Sequence, residues 1–155
     1  MRIRHLAFAV AGVALATTGC NQSVTLYQPT LPPEAIVTEV LTGTVAAAVN
    51  GVFQNTIKTY TVVGQGGGPV TITLTSAVQA RPDGTQQPNM PMGVGAGTVT
   101  AGGVCIVAAT AYVATIPGAG PHLSGSLAQG TYCIQVSDVS GQVGPVAFSI
   151  TVTHP

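Results

Sequence analysis

Two segments, PVTITLTSAV (residues 69–78) and PVAFSITVT (residues 145–153), alternate apolar and hydroxyl-bearing side chains with a period of two. A strand turns successive side chains to opposite faces, whereas a helix would scatter this pattern around its circumference. In the first segment Val70, Ile72, Leu74 and Val78 share one face, with Thr71, Thr73 and Thr75 on the other. In the second, Val146, Phe148, Ile150 and Val152 oppose Ser149, Thr151 and Thr153. Each segment needs one buried face and one wet face, the situation of an antiparallel sheet packed on a second layer. Shorter strand signals recur at 39–45, 56–63, 92–97, 122–127 and 131–138. MGVGAG (92–97) alternates apolar residues with glycine and predicts a closely packed or bulged strand. VCIVAATAYVATI (104–116) is apolar on both faces and predicts a strand covered on both sides. QARPDGTQQPNMP (79–91) reads as the longest loop and carries Arg81 and Asp83. About eight strands and no helix in the mature chain predict an all-β fold, an antiparallel β-sandwich.

Charge is scarce. Only 5% of the 155 residues are charged, against about 25% in an ordinary soluble protein. Arg2 and Arg4 are half of the cations and stand at the extreme N-terminus. Beyond them, Lys58 and Arg81 face Glu34, Glu39, Asp83 and Asp138. A slightly acidic domain without a basic patch excludes binding to a phosphate backbone, so no nucleic-acid partner is expected.

The N-terminus reads as an export signal. Arg2 and Arg4 precede LAFAVAGVALA (6–16), an apolar run of 11 residues and too short to span a bilayer. The run ends in TTGC, and Gly19-Cys20 resembles the end of a bacterial lipoprotein lipobox, with Thr17 where that family carries an aliphatic residue. The resemblance implies a signal-peptide helix at 1–19 and a Cys20 that becomes the first mature residue, bearing lipid. It also implies a place in the bacterial cell envelope, anchored to a membrane and facing the periplasm or the cell surface. Acyl chains, at about 0.8 kcal/mol per buried methylene, would hold the domain there. An ordinary cleaved secretory signal, with Cys20 incidental, is the alternative. NQSVTLYQPTLPP (21–33) contains three prolines and no periodicity, so 20–33 reads as the lipidated Cys and an extended tether ahead of a domain at 34–155.

With Cys20 lipidated, Cys105 and Cys133 remain, and in an oxidising compartment an even pair predicts a disulfide. Tyr132, Ile134 and Val136 form the more apolar face of their strand, so Cys133 should point to the outer side with Thr131 and Gln135. No metal site is expected, since there is no CxxC and His122 and His154 do not lie at ligand spacing.

SGSLAQGTYCIQVSDVSGQVGPVAFSITVT (124–153) resembles the end of bacterial pre-peptidase C-terminal (PPC) domains. The likeness rests on Gly130, Thr131, Tyr132, Ile134 and Val136 in one strand and Phe148, Ile150 and Val152 in the last. It implies a jelly-roll-like sandwich and an accessory or binding role beside exported enzymes. The acid-rich strand of that family has no counterpart in MGVGAGTVT, which puts a calcium site in doubt.

Catalysis needs acid, base or nucleophile candidates in a cluster. The mature chain offers Asp83, Asp138, His122 and His154, with no GxSxG, HExxH or P-loop. Asp138 reads as a turn former, His122 as a solvated surface residue and His154 as terminal or at an edge. Neither a catalytic residue nor a cofactor is expected. The expectation is a non-catalytic binding or structural module of the envelope, with Arg81 and Asp83 marking a partner-binding loop. Its partners would be other envelope proteins or glycans. A carbohydrate-binding accessory domain is the alternative; Trp is absent, leaving Tyr27 and Tyr112 as candidate sugar contacts.

Overall fold

The computed structural model describes residues 34–155. The signal at 1–19, Cys20 and the tether at 20–33 lie outside the described residues. Nine strands follow one another: β1 (Val37–Val45), β2 (Asn55–Val62), β3 (Gly68–Ala80), β4 (Gln86–Pro88), β5 (Met92–Val99), β6 (Cys105–Thr115), β7 (Leu123–Leu127), β8 (Gly130–Asp138) and β9 (Val146–His154). They form two antiparallel sheets. One runs β1-β9-β3-β4, with β7 also paired to β3; the other runs β2-β8-β5-β6. The chain changes sheet at most of its connections, the winding expected of a jelly-roll-like sandwich.

The core lies between the sheets. Val70, Ile72, Leu74, Phe148, Ile150 and Val152 from the first meet Tyr60, Met92, Val94, Ile134 and Val136 from the second. The two strongest alternating segments, now β3 and β9, pair with each other at the centre of the first sheet. Their hydroxyl faces form a regular outer surface, in which rows such as Thr38, Thr153 and Thr71 lie side by side.

Three sequence expectations are corrected. Val78 does not share a face with Leu74. A bulge between Leu74 and Ser76 shifts the register, so Ala77 and Gln79 turn inward and are buried, and Val78 turns out with its neighbour Ala147. The predicted loop at 79–91 is largely a hairpin: β3 continues to Ala80, and β4 pairs back through Ala80–Gln86, Gln79–Gln87 and Val78–Pro88. Pro82 and Asp83 make the turn and Gly84, at φ 83°, completes it. Finally, β6 is not covered on both faces. It is an edge strand, with Ile106 and Tyr112 exposed. Its apolar character serves a different contact.

That contact is with glycine. Gly93, Gly95 and Gly97 pair with Ser137, Gln135 and Cys133 of β8, so they share the outer face of β5, while Val94 and Ala96 face the core. The Tyr112 hydroxyl lies where a Cβ of Gly93 would stand, the Val107 side chain blocks that of Gly95 with the Tyr112 ring close by, and the backbone of Ile106 lies directly over Gly97. Two strands flanking a third normally stand about 9.6 Å apart. Here the Cα atoms of Cys105 in β6 and Cys133 in β8 are 5.8 Å apart, joined by a disulfide. The start of β6 has folded over the bare face of β5. Cys133 is therefore on the outer side of its sheet, as expected, yet fully buried beneath β6. Closing a loop of this sequence separation, 28 residues, stabilises the fold by about 3.5 kcal/mol on a chain-entropy basis.

Replacing Gly97 with Ala should therefore destabilise the domain by about 2–3 kcal/mol in urea unfolding, because the obstructing atoms are backbone and cannot swing aside. Gly120→Ala, where an added methyl meets nothing, should change stability by less than about 0.5 kcal/mol.

Candidate functional site

The structure disperses the polar residues singled out in the sequence and gives each a local task. Asp138 closes the β8–β9 connection: Oδ1 accepts the N–H groups of Ser140 and Gly141 at 2.8 and 2.9 Å, and Oδ2 accepts that of Gln142 at 2.9 Å. It is the turn former expected, although buried. His122 departs from expectation. It is half-buried rather than solvated, and its Nδ1 accepts the Leu74 N–H at 3.0 Å. Its Nε2 lies 3.1 Å from the Ile116 carbonyl, so the proton sits on Nε2 and the ring is neutral in this arrangement. Beside it, Gly118 N–H bonds Leu74 O and His122 N–H bonds Ile72 O. Residues 117–122 thus fill the edge of β3 between its pairings with β7 and β4, where ladder groups would otherwise be orphaned.

His154 is neither terminal nor at an edge in any physical sense. It is buried at 2% exposure on β9, with Nε2 3.2 Å from Glu39 Oε1 and Nδ1 2.9 Å from the Pro155 carbonyl. The alternation of β9 carried this information: positions 146, 148, 150 and 152 face inward, and 154 continues the series. Its ring lies 5.7 Å from that of Tyr60, which lies 5.9 Å from that of Tyr132. The Tyr132 hydroxyl donates to Ala128 O at 3.0 Å. The Tyr60 hydroxyl is buried and has no hydrogen-bond partner among the described residues.

Arg81 and Asp83 occupy the tip of the β3–β4 hairpin and are both exposed. Asp83 Oδ1 accepts the Thr85 N–H and hydroxyl at 2.9 and 2.6 Å, and the Thr85 hydroxyl, foremost, holds the Asp83 carboxyl below its usual range. Arg81 Nε donates to Gln87 Oε1 at 3.0 Å. The pair is fixed by its own hairpin, not by one another. At the hairpin's base, Thr44, Val78, Ala80, Gln86, Pro145 and Ala147 line a groove of about 410 Å³ on the outer face of the first sheet. A second cleft, about 150 Å³, opens between the edges of the two sheets and reaches Tyr60. Sequence reading missed both, since each is assembled from strands distant along the chain. Tyr112 is held flat over the glycines of β5, its hydroxyl 3.2 Å from Ser137 Oγ and its ring half-exposed. Tyr27 lies outside the described residues.

Among the described residues, no three His, Cys, Asp or Glu side chains gather closely enough to hold a metal. No family model, curated protein or solved structure matched the chain.

Burial pushes the Tyr60 phenol up to about 12, with the neighbouring Tyr132 adding to the shift. The unfolded chain ionises near pH 10 while the folded one stays protonated, so the unfolded state binds fewer protons between these values and stability falls as pH rises. The slope should approach about 1.4 kcal/mol per pH unit between pH 10 and 12. Tyr60→Phe should flatten this part of the profile when unfolding is followed by tyrosine-independent circular dichroism.

Proposed function

We propose that this chain is a membrane-anchored lipoprotein of the bacterial cell envelope, whose PPC-like sandwich is a non-catalytic module that binds or organises other envelope components. The observation that carries this reading is how the polar side chains are used. Asp138, His122 and Gln79 complete the hydrogen bonding of backbone segments, and His154 is sealed in the core. The chemistry-capable groups are committed to architecture. On the outer side of the first sheet an uncharged surface rich in Thr and Ser faces solvent, next to a hairpin held by its own hydrogen bonds and a groove at its base. A surface of this kind contacts partners through shape and neutral hydrogen bonds. The anchor rests on the TTGC resemblance at Cys20, and the PPC likeness on the strand motifs at 130–136 and 148–152.

A carbohydrate-binding accessory role is the second reading. It is favoured by Tyr112, whose half-exposed ring is clamped flat on a glycine floor, as a platform for a sugar ring requires.

The test uses the chain expressed in a bacterial host. A fatty-acid analogue should label the wild type, and Cys20→Ala should lose both label and membrane retention. Cross-linking in intact membranes should capture a partner, and Arg81→Ala/Asp83→Ala should reduce that capture several-fold without changing the unfolding midpoint. Loss of capture in Tyr112→Ala alone, with a soluble glycan as competitor, selects the carbohydrate reading. A hydrolytic activity abolished by a single change at Asp138, His122 or His154 overturns the non-catalytic one.

A further inference from the structure

An edge strand presents a row of unpaired N–H and C=O groups to any other strand that approaches. Four of the five edge strands here, β1, β2, β4 and β7, carry a safeguard. β1 and β2 border the same side of the sandwich and each turns a charge inward. Glu39 of β1 reaches the buried His154, and the stem of Lys58 of β2 lies against Gly43. Inward-pointing charges of this kind deter strand addition. The Thr56 hydroxyl of β2 also covers an edge carbonyl of β1, donating to Thr44 O at 2.6 Å. On the other side, β4 is three residues long and ends in Pro88, and β7 is five residues long. Between them residues 117–122 occupy the rim of β3.

β6 is built otherwise. It runs 11 residues, has neither charge nor proline from Val104 to Ile116, and leaves Ile106, Tyr112 and Ile116 exposed. A bulge is also an edge safeguard, and the register shift at 108–111 protects the middle of the strand. It leaves Tyr112–Thr115 in unbroken register with β5. There the strand offers a regular backbone with nothing to turn a second strand away.

The residues of this stretch suit a copy of themselves. Val113 packs against the core, so Tyr112, Ala114 and Ile116, all exposed, share the outer face. Two such stretches set antiparallel about a two-fold axis at Ala114 bring Tyr112 of each copy opposite Ile116 of the other. Val113 then opposes Thr115, and Ala114 opposes itself. An aromatic and a β-branched side chain make a favoured cross-strand pair, and no like charges meet. Closure selects the same partner. A two-fold pairing uses up both β6 edges and leaves the joined sheet bounded at each end by the guarded β2. A strand from an unrelated protein would bring an unpaired edge of its own.

We infer that this protein pairs with a second copy of itself through β6, joining the two four-stranded sheets into one continuous antiparallel sheet. Main-chain hydrogen bonds along Tyr112–Ile116 hold the copies together, and the Tyr112–Ile116 contacts on the outer face fix the register. The pairing does not depend on the membrane anchor or on the hairpin partner.

The test is thiol cross-linking of the purified full chain carrying Cys20→Ser, in which Cys105 and Cys133 are bonded to each other and an added cysteine is the single free thiol. Directly opposed residues of an antiparallel pair stand about 4.5–5.5 Å apart between Cα atoms, a span that a disulfide bridges. On mild oxidation Ala114→Cys should therefore form a covalent dimer, more than about 10-fold above Gly120→Cys, an exposed position that reports chance collision. In sedimentation velocity the Cys20→Ser chain should shift from monomer to dimer as its concentration rises. Ala114→Lys sets two like charges face to face at an exposed position, and should stay monomeric with its unfolding midpoint unchanged. A Cys20→Ser chain that is monomeric at every concentration, equal cross-linking from Ala114→Cys and Gly120→Cys, or an Ala114→Lys chain that still dimerises would each overturn the assignment.

Discussion

Gly93, Gly95 and Gly97 leave the outer face of β5 as bare backbone, and much of the second sheet follows from what settles on it. Without side chains to hold it off, β6 folds over β5 until Cys105 reaches Cys133 on the strand beyond. Tyr112 and Val107 fill the remaining space and are apolar because they cover backbone, not because β6 is central. β6 pairs with β5 in two stretches, at Cys105–Val107 and Tyr112–Thr115, with a register shift between them. The extra length of β6 at 108–111 takes up that shift, and there the sandwich edge opens into the cleft lined in part by Tyr60. Glycine stripe, disulfide, bulge and cleft are parts of one geometric arrangement.

A chain this poor in charge must satisfy its backbone by ladder bonds or by a small number of well-placed polar side chains. The ladders do most of the work, and the exceptions are where the sheets break. His122 stands in along β3 where β7 ends and β4 has not begun. Asp138 gathers three N–H groups in the β8–β9 connection. Gln79, turned inward by the bulge at Thr75, donates to Gly144 O at 3.3 Å. Against that background the unpartnered Tyr60 hydroxyl and Gln142 Oε1 stand out, since a buried polar group is ordinarily met.

How much of this was legible in the sequence depended on range. Alternation in β3 and β9 marked their buried and wet faces, though not that the two strands pair at the centre of the first sheet, and the parity of Tyr132, Ile134 and Val136 put Cys133 on the outer side. The segment at 79–91 was read as a loop because its Pro, Gly and Asn residues mask a ladder that continues on both sides of the turn at 82–84. Val78 was misplaced because a bulge changes the phase of a strand without leaving a composition signal at Thr75. The apolar run of β6 was misread because covering a glycine floor and covering a core demand the same residue types. His154 was legible, had the alternation of β9 been carried one step further. The cleft was not: Gly125, Ala96 and Tyr60 meet only after three separate strand pairings bring them together.

Hydrogen exchange of a Cys105→Ala/Cys133→Ala variant tests the central claim, that the disulfide holds β6 on the glycine floor, more directly than global stability can. The account predicts that protection collapses at Ile106 and Val107, falls in part at Tyr112 and Val113, and persists in β3, β8 and β9. Uniform loss across both sheets, or unaltered protection of β6, would contradict it.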